Sequence, residues 1–135
     1  MEICAVELET EASKLIVLSI YRPPTGDFNQ FLKKLDETLK YLYKLKTEFV
    51  ICGDINTNYL LERNRKTHLS SLLTTYNLPR TGDFATRMQN KSSTAIDNIS
   101  VDNSRLGSTV TFLLINGLSD HDAKLPSIIY IYVQQ

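Results

Sequence analysis

Hydrophobic positions in the first half of this chain group into short apolar runs separated by turn residues. The run Leu15-Ile16-Val17-Leu18-Ser19-Ile20-Tyr21 is rich in β-branched residues and is ended by Pro23-Pro24, which predicts a buried strand. The stretch from Ile3 to Leu8 alternates apolar and polar residues, so it is the predicted hairpin partner, with the turn at Thr10–Ser13. Phe49–Cys52 predicts another buried strand.

Helical spacing marks two further segments. Asp27 precedes the first helix, and Gln30 follows it at the spacing of a capping box. The apolar residues of this helix recur with a period of 3.6 and predict a face packed on a sheet: Phe28, Phe31, Leu32, Leu35, Leu39 and Leu42. A second helix is predicted over Lys66–Tyr76.

The second half of the chain is less regular. Residues 85–95 are rich in Thr, Ser, Asn and Gln and are predicted to form a loop. Short strands are predicted at Ile96–Val101, Thr109–Ile115 and Ile128–Val133. The order of strand, helix, strand, helix and several strands predicts an α/β domain in which helices cover a sheet.

Length and composition fit this picture. The 135 residues suit a single domain, residues 1–135, and an apolar fraction of 42% is ordinary for a globular protein. No apolar run is long enough for a membrane helix, and no signal peptide is visible, so an intracellular location is expected. Cys4 and Cys52 lie in apolar runs and are predicted to be reduced and buried, with a disulfide or a metal site as the alternatives.

Charge is balanced overall but unevenly distributed. The net charge is zero, which argues against a strongly basic nucleic-acid coat. Residues 1–13 carry four Glu and no basic residue, whereas residues 61–91 carry six basic and two acidic residues. The middle of the chain is therefore suited to face a polyanion, although solvated surface charge explains most of these side chains equally well.

A carboxylate and an amide follow the strand predicted at Phe49–Cys52, in the segment Gly53-Asp54-Ile55-Asn56. In an extended chain Asp54 and Asn56 point to the same side. A carboxylate can act as a general base or bind a hard cation such as Mg²⁺, and an amide can donate to a phosphate oxygen. An Asx turn after the strand explains the same residues without chemistry.

A second polar cluster, Ser119-Asp120-His121-Asp122, places a cation ligand beside a proton donor. A polar loop with a capping serine is the alternative explanation. Asp97 lies inside a strand-like run, where a buried acid needs a partner, and pairing with His121 would satisfy both groups. Tyr21-Arg22 and Thr86-Arg87 offer hydroxyl and guanidinium donors to phosphate, or else are ordinary surface residues.

In this order, the segments Tyr-Arg-Pro-Pro, Gly-Asp-x-Asn, Thr-Arg…Ser-x-Thr-x-Ile-Asp-x-Ile and Ser-Asp-His make the chain similar to the endonuclease/exonuclease/phosphatase superfamily. Within it, residues 3–133 most resemble the endonuclease of non-LTR (LINE-type) retrotransposons. The resemblance implies a four-layer αββα sandwich of the deoxyribonuclease I-like type. It also implies an enzyme that nicks DNA with Mg²⁺ or Mn²⁺ and leaves a 3′ hydroxyl for reverse transcription.

The resemblance also implies roles for particular residues. Tyr21 would contact the phosphate, Asp54 would orient or deprotonate the attacking water, and Asn56 would bind a phosphoryl oxygen. Asp97 would pair with His121, which would bond to the phosphate.

Five further residues have supporting roles by the same resemblance. Asp120 would lie near the metal, and Ser119 would support the site. Thr86 and Arg87 would border the DNA-binding loop, and Arg22 would reach the substrate.

The chain departs from the family pattern at its start. The family has an N-terminal strand bearing an Asn and a later strand bearing the Glu that binds the metal, and only 20 residues precede Tyr21 here. We therefore expect a partial domain without its N-terminal strands, impaired as a nuclease and prone to self-association. The alternatives are an inactive remnant, a nucleic-acid-binding module, or a phosphatase or lipid phosphodiesterase. The expected partners are DNA and a reverse transcriptase domain of a longer polyprotein, in the nucleus, without a membrane.

Overall fold

The computed structural model describes residues 1–9, 14–45, 47–61, 63–81, 84–89, 92–115, 117 and 119–128. Eight strands and three helices lie in these ranges. In chain order they are β1 (Glu2–Glu9), β2 (Lys14–Tyr21), α1 (Phe28–Lys44), β3 (Glu48–Asp54), α2 (Arg63–Thr75), β4 (Arg87–Gln89), β5 (Ser92–Thr94), β6 (Asp97–Val101), α3 (Asn103–Leu106), β7 (Thr109–Leu114) and β8 (Ala123–Ile128).

The central sheet has four strands in the order β1-β2-β3-β6. Strands β1 and β2 form the predicted antiparallel pair, with Val6 opposite Val17. Strand β3 runs parallel to β2, and α1 makes the crossover between them, as parallel strands require. Strand β6 is antiparallel to β3, with Asp54 opposite Asp97 at the end of the pair. Two smaller sheets pair β4 with β5 and β7 with β8.

Helices α1 and α2 cover one face of the central sheet. Asp27 caps α1 as predicted, because its carboxylate accepts a hydrogen bond of 2.7 Å from the Gln30 N–H. The apolar face of α1 packs on side chains of β2, so that Leu35, Leu39 and Leu18 are all buried in one core. Each fully buried leucine of this kind stabilises the fold by about 2 kcal/mol. The amphipathic pattern thus predicted this packing correctly.

The opposite face of the central sheet carries a smaller apolar cluster. Val50, Ile99 and Val101 are its buried members, and Leu15 and Cys52 pack against them. Strand β8 contacts β6, which places the β7–β8 pair beside this cluster. The architecture is therefore a mixed α/β sandwich with helices on one side of the central sheet and a second small sheet on the other.

One prediction for the second half was wrong. The segment predicted as a loop at residues 85–95 contains the hairpin β4–β5, with Arg87 opposite Thr94. Strand β8 at Ala123–Ile128 was not predicted, and the strand predicted at Ile128–Val133 lies, beyond Ile128, outside the described residues. The short helix α3 was not predicted.

Smaller differences concern the cysteines and the ends of elements. Cys4 is exposed rather than buried and Cys52 is half-buried; both are free thiols. Helix α2 begins at Arg63, three residues earlier than predicted, and the predicted turn at residues 10–13 lies outside the described part. Among the described helices, none combines the length and hydrophobicity that crossing a bilayer requires.

Candidate active site

Three strands of the central sheet bring polar side chains to the same edge. Strand β2 ends at Tyr21, β3 ends at Asp54, and the antiparallel β6 begins at Asp97. Asp54 and Asp97 are direct partners in the β3–β6 register. Because Asp54 alternates with Cys52 and Val50, it lies on the face opposite the helices. The fold therefore places two carboxylates side by side at one strand end.

His121 reaches these carboxylates from the loop before β8. Its Nδ1 lies 3.1 Å from Oδ2 of Asp97, the pairing that the sequence predicted. Ser119 fixes the loop, because its Oγ accepts the His121 N–H at 3.0 Å and donates to the His121 carbonyl at 3.0 Å. Arg87 of β4 pairs with His121 through a main-chain bridge. Ser119 is thus a support for His121 in this structure, not a residue directed at a ligand.

The surroundings of Asp54 raise the pKa of its carboxyl group. Burial raises the pKa of its carboxyl group, and the negative charge of Asp97 adds to this effect. The Asn56 N–H, which donates to Asp54 Oδ1 at 2.8 Å, and the charges of His121 and Arg87 act in the opposite direction. A partly desolvated carboxylate with a raised pKa is suited to accept a proton.

The bond from Asn56 to Asp54 is the Asx turn that was the alternative to a functional motif. Asn56 has a positive φ of 48°, so the chain leaves the extended conformation after Asp54 and the expectation that both side chains point to one side does not hold. The Asn56 side chain donates to the carbonyl of Arg22 at 2.9 Å. The turn and the functional reading of Asp54 are compatible, because the turn fixes the carboxylate at the edge of the site.

Asp54, Asp97 and His121 form a group that could hold a metal ion. Each offers one ligand atom, and these atoms all lie within 4.8 Å of one another. Two adjacent carboxylates, one of them with a raised pKa, form a site whose like charges a divalent cation would offset. Carboxylate oxygens suit Mg²⁺, and the added imidazole nitrogen makes Mn²⁺ equally compatible.

Asp120, which was predicted to lie near the metal, is not one of the three residues of this group. Its carboxylate accepts a hydrogen bond of 2.6 Å from Nε of Arg87. The same contact holds the pKa of Asp120 below its usual value. The Arg87–Asp120 pair therefore ties the β4 strand to the loop that carries His121.

Two residues predicted to bind substrate point into the protein instead. Arg22 is 1% exposed and donates to main-chain carbonyls, including that of Ile55 at 2.7 Å. Thr86 is fully buried, and its Oγ1 accepts the N–H of Asp97 at 3.1 Å. Neither side chain lies at the surface of the site. Tyr21, in contrast, is 40% exposed at the end of β2, next to the strand that carries Asp54.

One charged residue near the site was missed because no strand was predicted at residues 123–127. Lys124 lies on β8, and its Nζ is closed to solvent and lacks a hydrogen-bond partner among the described residues. Nζ lies 4.8 Å from the ring centroid of Phe84. Burial lowers the pKa of Lys124 to about 8; repulsion from Arg80 adds to this, and attraction to Asp97 opposes it.

Comparison with known structures agrees with this architecture. The endonuclease domain of TRAS1, a telomere-specific non-LTR retrotransposon, matches with a TM-score of 0.77 and 18% sequence identity, over 93% of this chain and 63% of that one. An endonuclease/exonuclease/phosphatase family protein from Leptotrichia buccalis C-1013-b matches with a TM-score of 0.67 and 14% identity, over 95% of this chain and 53% of that one. The chain thus spans less than two thirds of either structure.

The amino-acid sequence carries a match of its own. No curated protein matches the chain. Residues 15–125, however, match the family described as endonuclease-reverse transcriptase. This match includes every predicted site residue from Tyr21 to His121, and the fold agrees with it. The chain therefore belongs to the endonuclease-reverse transcriptase family, within the endonuclease/exonuclease/phosphatase superfamily.

Proposed function

We propose that this protein hydrolyses phosphodiester bonds in DNA, as a nicking endonuclease that depends on Mg²⁺ or Mn²⁺. The observation that carries the proposal is the group of Asp54, Asp97 and His121 at one edge of the central sheet, with ligand atoms within 4.8 Å. Phosphodiester hydrolysis needs a base for water, neutralisation of phosphoryl charge and a donor to the phosphate. This group offers all three functions in one place.

Asp54 is the proposed base. Its raised pKa favours proton transfer from a water molecule aimed at the phosphorus atom. His121 is the proposed donor to a phosphoryl oxygen. Asp97 orients it, because in the imidazolium form that this role requires Nδ1–H donates to the Asp97 carboxylate and Nε2–H is left to donate to the phosphate. A divalent cation held by the carboxylates of Asp54 and Asp97 would supply charge neutralisation at the phosphate.

Asn56, Tyr21 and Arg87 complete the proposed phosphate site. An amide nitrogen carries two hydrogens, and one of those on Asn56 donates to the Arg22 carbonyl. We assign the second to a phosphoryl oxygen. Tyr21 offers its exposed phenol at the end of β2. Arg87 lies on the β4–β5 hairpin, at the point where that hairpin meets the His121 loop, and would meet the DNA backbone there.

We further propose that the reaction is slow in this chain. Among the described residues, no glutamate joins Asp54, Asp97 and His121 in the cation-binding group. A cation held by the carboxylates of Asp54 and Asp97, without a glutamate, would bind less tightly and would neutralise less of the phosphate charge. A superfamily member that retains DNA binding without turnover is the alternative outcome.

The experiment that tests this proposal compares substrates under defined metal conditions. Purified protein is incubated with supercoiled plasmid, p-nitrophenyl phosphate and inositol polyphosphates in Mg²⁺, Mn²⁺ or EDTA. We expect nicked circles with 3′ hydroxyl ends in either metal and none in EDTA. Hydrolysis of the phosphomonoesters without nicking would show that the protein is a phosphatase rather than an endonuclease. Binding of plasmid without hydrolysis of any substrate would leave only a binding module.

A further inference from the structure

Arg22 lies directly under the turn that carries the proposed base. It follows the exposed Tyr21 and precedes two prolines, yet it is 1% exposed. A buried guanidinium is costly unless its N–H groups are satisfied. Its position therefore implies a set of specific partners, which the hydrogen bonds identify.

The guanidinium donates in three directions. Nε donates to the carbonyl of Ile55 at 2.7 Å, Nη1 to that of Gly26 at 2.8 Å, and Nη2 to that of Asn56 at 2.5 Å. Nη2 also lies 3.4 Å from Oγ1 of Thr57. A planar fork with five fixed donors can make this set of bonds, whereas the single nitrogen of a lysine cannot reach acceptors so placed.

The backbone of Arg22 binds the same turn. Its N–H donates to the carbonyl of Asp54 at 3.0 Å, and its carbonyl accepts from the Asn56 amide at 2.9 Å. One residue thus contacts the carbonyl groups of Asp54, Ile55 and Asn56. These contacts hold the turn in which Asn56 has a positive φ. In this conformation the Asn56 N–H donates to the Asp54 carboxylate.

We propose that Arg22 is a positioning residue for phosphodiester hydrolysis, which sets the geometry of Asp54 and Asn56 through the backbone without touching the substrate. This inference rests on the proposed function. It adds a residue that affects the reaction from outside the group formed by Asp54, Asp97 and His121. Strain at Asn56 persists only while its surroundings hold it, and the guanidinium is the part of those surroundings that a mutation can remove.

Arg22→Lys is the informative substitution, because it keeps the positive charge and loses the fork. A shift of about 1 Å at a reacting group costs about 100-fold in rate. We expect kcat for plasmid nicking to fall by about this factor, with KM changed less than about threefold, since no substrate contact is removed. In Arg22→Ala, millimolar guanidinium chloride should restore part of kcat by occupying the vacated site.

A control separates positioning from loss of stability. Leu39→Val removes one methylene from the core on α1, about 16 Å along the helix from Phe28, the residue over which the Arg22 guanidinium stacks. It should lower the melting temperature while leaving kcat within about twofold of the wild-type value. An equal fall of kcat in Leu39→Val and Arg22→Lys would overturn the positioning role.

A measurement on the wild-type protein keeps the inference independent of nuclease activity and of how the variants fold. Nε–H of Arg22 and N–H of Asn56 should exchange with solvent slowly in ¹⁵N-edited NMR, because both are bonded within the turn. Fast exchange of both would overturn the inference, whatever the enzyme does. Slow exchange together with no nicking by the wild type would refute the proposed function and leave Arg22 only as the residue that holds the turn.

Discussion

At the scale of single residues, the candidate site depends on which aspartate contacts the His121 side chain. Asp97 and Asp120 are both adjacent to His121, one in space and one in sequence, but their partners differ. Asp97 bonds to the imidazole, and Asp120 bonds to Arg87. Sequence adjacency therefore does not identify the acid that acts with His121.

This difference predicts different responses to metal. Asp97→Asn should raise the Mg²⁺ concentration for half-maximal nicking about 10- to 100-fold, because it replaces a charged ligand oxygen of the group by a neutral amide and weakens the pairing with His121. Asp120→Asn should leave that concentration within about twofold of the wild-type value, because the Asp120 carboxylate pairs with Arg87. Titration of the nicking rate with Mg²⁺ measures both. Equal shifts for the two variants would place Asp120 back among the metal ligands.

Lys124 predicts a pH dependence of stability. Its pKa falls from 10.5 in the unfolded chain to about 8 in the fold. Between these values the unfolded state binds more protons, so that this residue makes stability rise with pH. Lys124→Met should be more stable than the wild type by about 1 kcal/mol at pH 7, because an unpaired buried donor is removed, and this advantage should shrink from pH 8 to pH 10.

Urea unfolding of the wild type and Lys124→Met at pH 7, 8, 9 and 10 checks this prediction. The difference between the two proteins is the relevant quantity, since it cancels the titration of other groups. A difference that stays constant across this range would show that Lys124 titrates normally in the fold.

Residue types alone could not show which hydrogen-bond donor side chains point into the protein and which point to solvent. Arg22 and Thr86 share the chemistry of phosphate-binding side chains, and the sequence predicted that role for both. Their actual partners are main-chain groups 33 and 11 residues away, those of Ile55 and Asp97. Such contacts depend on the tertiary fold. The Asp97–His121 pair, in contrast, was predictable because a buried acid and one of only two histidines each needed a partner.

At the scale of elements, Gly53 controls how closely β3 approaches β2. It has a φ of 140°, and a Cβ at this position would lie 1.9 Å from the carbonyl oxygen of Ile20. Strand β3 can therefore lie close enough to β2 to place Asp54 at the candidate site only because residue 53 has no side chain.

Gly53→Ala should destabilise the protein by about 3 kcal/mol or more, because the clash is with backbone and the φ is unfavourable for alanine. Gly107→Ala is a matched control, since a Cβ there meets nothing within 4 Å. It should leave stability within about 0.5 kcal/mol. Chemical denaturation measures both, and similar losses for the two variants would argue against the close approach at Gly53.

The elements that the sequence predicted well are those with a clear hydrophobic period. The face of α1 and the apolar runs of β2 and β3 define the helix-covered core. The β4–β5 hairpin was missed because its residues are mostly polar, and tertiary bonds stabilise it, such as that from the Met88 N–H to the Asp120 carbonyl at 2.9 Å. β8 was missed because Pro126 interrupts its pattern, which is tolerated where a strand has one neighbour in its sheet.

At the scale of the whole molecule, apolar side chains remain exposed on two strands. Val6 on the edge strand β1 is 51% exposed, and Phe112 on β7 is 50% exposed. Leu8 and Leu114 lie on the same strands and are similarly exposed. A long edge strand with apolar side chains is a surface on which chains associate.

We therefore expect the isolated chain to self-associate as its concentration rises. Val6→Lys and Phe112→Lys should each shift the mass found by light scattering towards that of a monomer. Leu61→Lys is the control, because Leu61 is 77% exposed but lies on a loop. A wild-type protein that stays monomeric at high concentration would contradict the expectation, and so would an equal effect of the loop substitution.

The most direct test of the central claim is plasmid nicking by the wild type beside Asp54→Asn and His121→Ala. If Asp54, Asp97 and His121 form the reacting group, the wild type nicks supercoiled DNA in Mg²⁺, and each substitution lowers the rate about 100-fold or more. All three proteins should keep the same cooperative melting transition. Nicking that persists undiminished in both variants, or that is absent from the wild type in Mg²⁺ and Mn²⁺ alike, would contradict the assignment of this group as the active site.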